Sequence, residues 1–170
     1  MFIQASQMIG HRLVALETRQ LIGKIERPVF DTTHGRLLAL LVRSHGWFGK
    51  KKVLAATDII GVEPGFVLTR KAIDLVEVKE IVRIEELIKA KMPILGQHAI
   101  TESGQKLGDV TDVLVDTEAW LISKYYLRNL LMERIFLAED VQSITKKGVI
   151  FFDRVTGPRA VSSQAETAAV

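Results

Sequence analysis

Cysteine is absent from this chain of 170 residues. Its absence removes disulfides, thiolate metal sites, iron–sulfur clusters and cysteine nucleophiles together, and it fits a reducing compartment. Aromatic residues are only 6% of the chain. Long apolar runs are missing too. The longest, such as residues 37–42, fall far short of the roughly 20 residues a helix needs to cross a bilayer, and they have the length of strands. Residues 1–10 lack the basic-then-apolar order of a signal peptide. The expectation is a soluble, cytoplasmic protein.

Catalytic and ligand-holding motifs are also scarce. The glycines form no G-x-G-x-x-G or P-loop pattern, so nothing predicts a phosphate cradle. Gly-x-Ser-x-Gly does not occur. The four histidines, His11, His34, His45 and His98, show no His-x-x-x-His or His-Glu-x-x-His spacing, and read as surface or strand-edge residues rather than metal ligands. No enzyme activity, metal or cofactor is expected.

What is present supports a folded chain. Hydrophobic residues make up 48% of the sequence, enough to pack a core. The net charge is +3, but it is unevenly placed. Residues 1–78 carry eleven Lys/Arg against seven Asp/Glu, whereas residues 94–155 carry seven against nine. The basic half could meet an acidic partner or nucleic acid, or the two halves could attract each other.

The dominant feature is an internal repeat. Ile9-Gly10 recurs as Leu95-Gly96, and Ile22-Gly23-Lys24-Ile25 as Leu107-Gly108-Asp109-Val110. Val29-Phe30-Asp31-Thr32 recurs as Leu114-Val115-Asp116-Thr117. The run from Val53 to Ile59 returns between Ile135 and Val141, and Gly65-Phe66-Val67-Leu68 returns as Gly148-Val149-Ile150-Phe151. The offset drifts only between 86 and 82 residues, so the order of the matches is preserved.

Each copy reads as short strands punctuated by turns. Residues 37–42 and 121–127 have the composition of half-buried strands. Glu102-Ser103-Gly104-Gln105 and Lys146-Lys147-Gly148 supply turn chemistry. Between the copies, Ile81, Ile84, Leu87, Ile88 and Met92 fall at helical spacing opposite a charged face. Pro93 ends that pattern. The sequence therefore predicts a mainly β chain: a first unit at 1–78, a connector helix within 79–93, a second unit at 94–155, and a disordered tail at 156–170.

Leu95-Gly96 followed by Leu107-Gly108-Asp109-Val110-Thr111-Asp112-Val113-Leu114-Val115-Asp116 resembles the PRC-barrel domain family. The later strand from Ile135 to Val141 and the hairpin through Gly148 are similar to it as well. The resemblance covers two tandem copies and fits the second better. The first has Glu26-Arg27-Pro28 before Val29, and Trp120 stands where such domains often place a turn glycine. The family is similar to the cytoplasmic part of a photosynthetic reaction-centre protein and to the C-terminal domain of a small-subunit ribosome-maturation factor. It implies two small β-barrels joined by a short α-helix, and a docking role without catalysis, though fold-level analogy transfers little chemistry.

Two sets of residues stand out. Asp31 and Asp116 recur at equivalent positions, as do Asp58 and Asp140. They could act as acid–base pairs or hard-metal ligands, but strand-end carboxylates accepting backbone N–H bonds explain them more simply. The loops carry more promise. Trp47, Phe48, Lys50, Lys51 and Lys52 place aromatic contact area beside lysines in the first copy. The corresponding loop of the second copy presents Leu130, Leu131 and Met132. The favoured function is a protein-interaction or assembly module bound to a protein partner or larger complex. The alternative is an RNA- or ribosome-associated factor using the basic first half. Self-association into a homo-oligomer stays open.

Overall fold

A computed structural model describes residues 1–44, 51–90, 93–130 and 132–156. The chain opens with strand β1 (Phe2–Gln4) and a single-turn helix α1 (Ala5–Met8). The first half continues through β2 (Arg12–Ala15), β3 (Gln20–Phe30), β4 (Leu37–Ser44), β5 (Lys51–Ala55), β6 (Ile59–Glu63), β7 (Phe66–Thr69) and β8 (Leu75–Glu77). Helix α2 (Val82–Lys89) follows. The second half comprises β9 (His98–Thr101), β10 (Lys106–Asp116), β11 (Leu121–Arg128), β12 (Glu133–Leu137), β13 (Val141–Thr145) and β14 (Gly148–Phe151).

The protein is mainly β, and its strands form two sheets in the same order. The first runs β6-β7-β2-β3-β4-β5-β8, and the second runs β13-β14-β9-β10-β11-β12. In each, one pair of strands is parallel: β2 with β7, and β9 with β14. Neither sheet closes into a barrel, so the expected pair of closed barrels is replaced by two open sheets. The physical reason is visible in the pairing. The end strands are occupied differently, or not at all, instead of meeting each other.

The two halves are interlaced. β1 does not join the first sheet; it pairs antiparallel with β10, setting Phe2 opposite Asp116 and Gln4 opposite Leu114. The turns after β3 and β10 also meet. The Leu37 N–H donates to the Trp120 carbonyl at 2.7 Å, and the Ile122 N–H donates to the Gly35 carbonyl at 3.0 Å. Leu37 and Ile122 are repeat equivalents, as are Gly35 and Trp120, and Arg36 bridges its own equivalent Leu121. The exchange is reciprocal, as across a two-fold axis.

One hydrophobic core spans both halves. Leu13, Leu40, Leu54 and Val67 from the first join Val113, Tyr125, Phe136 and Phe151 from the second. Phe151 packs edge-on against Tyr125 with centroids 5.8 Å apart, and 5.1 Å from Phe136, a spacing favoured for aromatic pairs. Burial pushes the Tyr125 hydroxyl far above its ordinary value.

A second, smaller cluster lies on the opposite face of the first sheet. There Val29, Ala39, Leu41 and Val53 are buried beneath Ile84 of α2, with Ile81, Leu87 and Ile88 alongside. This explains the helical spacing of those residues: their apolar stripe needs a sheet face to cover.

Candidate functional site

The repeat permits a position-by-position comparison of the outer edges. In the first sheet, β5 is followed outward by β8, with Lys52 opposite Glu77, Val53 opposite Val76 and Leu54 opposite Leu75. β8 together with α2 removes Val53 from solvent. In the second sheet the equivalents of Lys52, Val53 and Leu54 are Arg134, Ile135 and Phe136 of β12. They pair with β11 in the same register in which β5 pairs with β4. Beyond β12 no strand is added among the described residues.

The consequence is measurable in exposure. Val53 is 0% exposed, whereas Ile135 is 53% exposed and Leu137 38%. Phe136 points inward to the shared core and is buried. Leu130, fully exposed, and Met132, 49% exposed, extend the apolar strip to the β11–β12 hairpin. An end strand with aliphatic side chains and an open main-chain edge is a template for pairing. Contiguous apolar exposure of this kind marks interaction surfaces.

Charge surrounds the strip. Glu133 accepts from both Nε and Nη2 of Arg128, the first at 2.8 Å. Lys124 and Tyr126, half-buried on β11, lie opposite Leu137 and Ile135. Beyond Leu130 an open cleft of about 760 Å³ is bordered by His98, Asp109, Arg128 and Lys147. His98 and Asp109 are hydrogen-bonded at 2.6 Å, but both side chains are mostly exposed, which leaves the pair to solvent screening.

The residues singled out in the sequence fall into different places. Leu130 and Met132 lie on the exposed strip, while Leu131 lies outside the described residues, as do Trp47, Phe48 and Lys50. Lys51 is exposed, with its Nζ 3.8 Å from Glu26, a carboxylate that also takes Arg43 at 2.5 Å. Lys52 lies half-buried opposite Glu77. The described lysines of that loop therefore stand beside carboxylates. Ile135 and Leu137 were not singled out as exposed. The repeat itself could have found them, because nothing after Phe152 resembles the Leu75-Val76-Glu77 that covers Val53.

The repeated aspartates act in turns and at strand ends. The Asp31 carboxylate accepts the Thr33 N–H at 2.9 Å and meets Arg83 of α2 at 2.8 Å. Burial pushes this carboxyl up, but the Thr33 N–H, His34 and Arg83 together hold it below its ordinary value. Its equivalent Asp116 accepts the Glu118 N–H at 3.0 Å and lies 3.9 Å from the N-terminal ammonium. Asp140 accepts the Leu137 N–H at 3.2 Å and meets Arg154 at 3.5 Å. Asp58 has a like charge as neighbour: burial, and then Asp74, raise its carboxyl above the ordinary value.

No family model matches the chain, and no curated protein is similar to it.

Proposed function

We propose that this chain is a non-catalytic tandem PRC-barrel-like protein whose work is docking, an interaction or assembly module held to a protein partner or larger complex. The observation that carries the reading is the contrast between Val53, 0% exposed, and Ile135, 53% exposed, at equivalent positions of two sheets with one strand order. A duplicated fold that covers one edge and, among the described residues, leaves the equivalent apolar edge open supports binding through the second copy. The matching strand order also supports descent of both copies from one small barrel-like unit, opened where the copies interlace.

The test is affinity capture on the full chain from its native cell, run beside a variant carrying Ile135→Lys and Leu137→Lys. A defined set of proteins retained by the parent and lost by the variant is the expected result. Partners retained equally by both would remove any role for the second-copy edge. Retention of nuclease-sensitive RNA, abolished by Lys50→Glu, Lys51→Glu and Lys52→Glu, would favour the RNA- or ribosome-associated reading instead.

A further inference from the structure

The first copy contains its own record of what such an edge accepts. β8 runs antiparallel to β5, placing an acid opposite Lys52, an aliphatic residue opposite Val53 and another opposite Leu54. Five residues later α2 begins and lays Ile84 over the outer face of the same strands. Carrying these positions across the repeat gives the chemistry of the missing cover for β12. Arg134 replaces Lys52 and keeps the positive charge. Ile135 replaces Val53 and keeps a β-branched aliphatic group. Phe136 replaces Leu54 and stays in the core. Each position has kept its character, so the edge still fits a strand of the same pattern.

Among the described residues no such strand is laid on β12. The 3-10 turn Ala72–Asp74 leads into β8, and the equivalent turn Asp153–Thr156 leads into Gly157-Pro158-Arg159. Glycine has no side chain to set against Phe136. Proline has no N–H to give to a ladder. Arg159 would bring a like charge to Arg134, which destabilises a directly opposed pair. A second copy fits no better. Antiparallel pairing of β12 with itself about Ile135 sets Arg134 against Phe136 and Glu133 against Leu137, so neither charge meets its opposite.

We infer that the β12 edge binds an extended segment of another protein, added antiparallel as a further strand, with two aliphatic residues followed by an acid, set against Phe136, Ile135 and Arg134 in turn. The inference rests on the docking reading above and names the partner's chemistry. Main-chain hydrogen bonds supply the attachment, and the side chains opposite Ile135 and Arg134 supply the selection. An amphipathic helix after that strand would cover Tyr126 and Ile135 as α2 covers Leu41 and Val53.

The probe is a labelled synthetic peptide of residues 72–90, the natural cover of the equivalent edge, titrated into the full chain by fluorescence anisotropy. Saturable binding is expected, falling at least tenfold with Ile135→Lys and likewise with Arg134→Glu. The Arg134→Glu loss should be recovered by a peptide carrying Glu77→Lys. Binding that ignores both substitutions, or no saturable binding at all, overturns the inference. So does binding that appears only after removal of residues 157–170, which would make the chain's own terminus the occupant. A dimer in light scattering that Ile135→Lys breaks and the peptide displaces would make a second copy the occupant, and overturns it equally. If the peptide fails while affinity capture still depends on Ile135 and Leu137, the docking reading stands and only the partner's chemistry is wrong.

Discussion

The two copies share a strand order and a core, yet they are finished differently. The first sheet ends in β8 and is roofed by α2, so its aliphatic outer face is dry. The second sheet ends in β12, and its outer face carries Lys124, Tyr126 and Ile135 partly in water. In exchange, the second copy receives β1 from the start of the chain. A duplicated fold therefore has two spare surfaces, and the described segments cover only one edge. The difference separates residues buried in the fold from equivalent residues that stand partly exposed among the described segments.

The sharpest way to break this comparison is truncation on both outer faces. Ile84→Ala, in the helix that roofs the first sheet, should cost about 2–4 kcal/mol in denaturant unfolding, in the range for a buried Ile. Ile135→Ala should cost under about 1 kcal/mol, because its side chain is already half in water. Equal losses would mean that β12 is covered in the folded protein.

Next in size is the anchor of the N-terminal segment. Asp112 is buried and accepts the Ser6 N–H at 3.1 Å, the Ser6 hydroxyl, and its neighbour Val113 N–H at 2.8 Å. Asp112→Ala should cost about 1–3 kcal/mol in thermal unfolding, since buried donors lose their acceptor. The first-copy equivalent is Arg27, which is only half-buried, and Arg27→Ala should stay within about 0.5 kcal/mol.

A gain is expected at the turns. Gly104 has φ +86° and Gly35 has φ +63°, while their repeat equivalents Arg19 and Trp120 both hold φ at 55° with a side chain attached. Arg19 is exposed, so Arg19→Gly should raise stability by about 1 kcal/mol through relief of left-handed strain. Trp120 packs against the core, so Trp120→Gly should give a net loss despite the same relief. Melting temperatures of the two variants decide the point.

The smallest effects concern the repeated aspartates. The Asp58 carboxyl is raised in the fold, so its charge opposes folding once pH rises past the unfolded value near 3.8. Asp58→Asn should therefore raise the melting temperature at pH 7 and change little at pH 3. Asp31 has the reverse sign. Its lowered carboxyl contributes stability above the unfolded value and loses that contribution as pH falls, so Asp31→Asn should destabilise at pH 7 and converge with the parent in acid. Asp140→Asn weakens the contact between its buried carboxylate and the mostly exposed Arg154, 3.5 Å away, and should lower stability slightly.

The strands were legible because their signals are local. Alternating aliphatic residues and turn glycines recur in order, and they mark β3, β4, β10 and β11 directly. The three-residue strands β1 and β8 carry no such signal; their partners choose them from across the fold, and so sheet membership at residues 2–4 could not be read. The helical stripe of Ile81, Ile84, Leu87 and Ile88 was legible, but the face it covers was not. Ile135, Phe136 and Leu137 look like a buried strand because only Phe136 is inward, and exposure of the other two follows from a covering strand that the second copy lacks among the described residues. The hairpin residues Leu130 and Met132 were singled out, next to the edge rather than on it.

The most direct measurement of the central claim is hydrogen–deuterium exchange on the full chain, with and without the peptide of residues 72–90. An open β12 edge predicts slowed exchange concentrated in Glu133–Leu137, with β5 unchanged. Protection of Lys51–Ala55 alone, or none at β12, would contradict it.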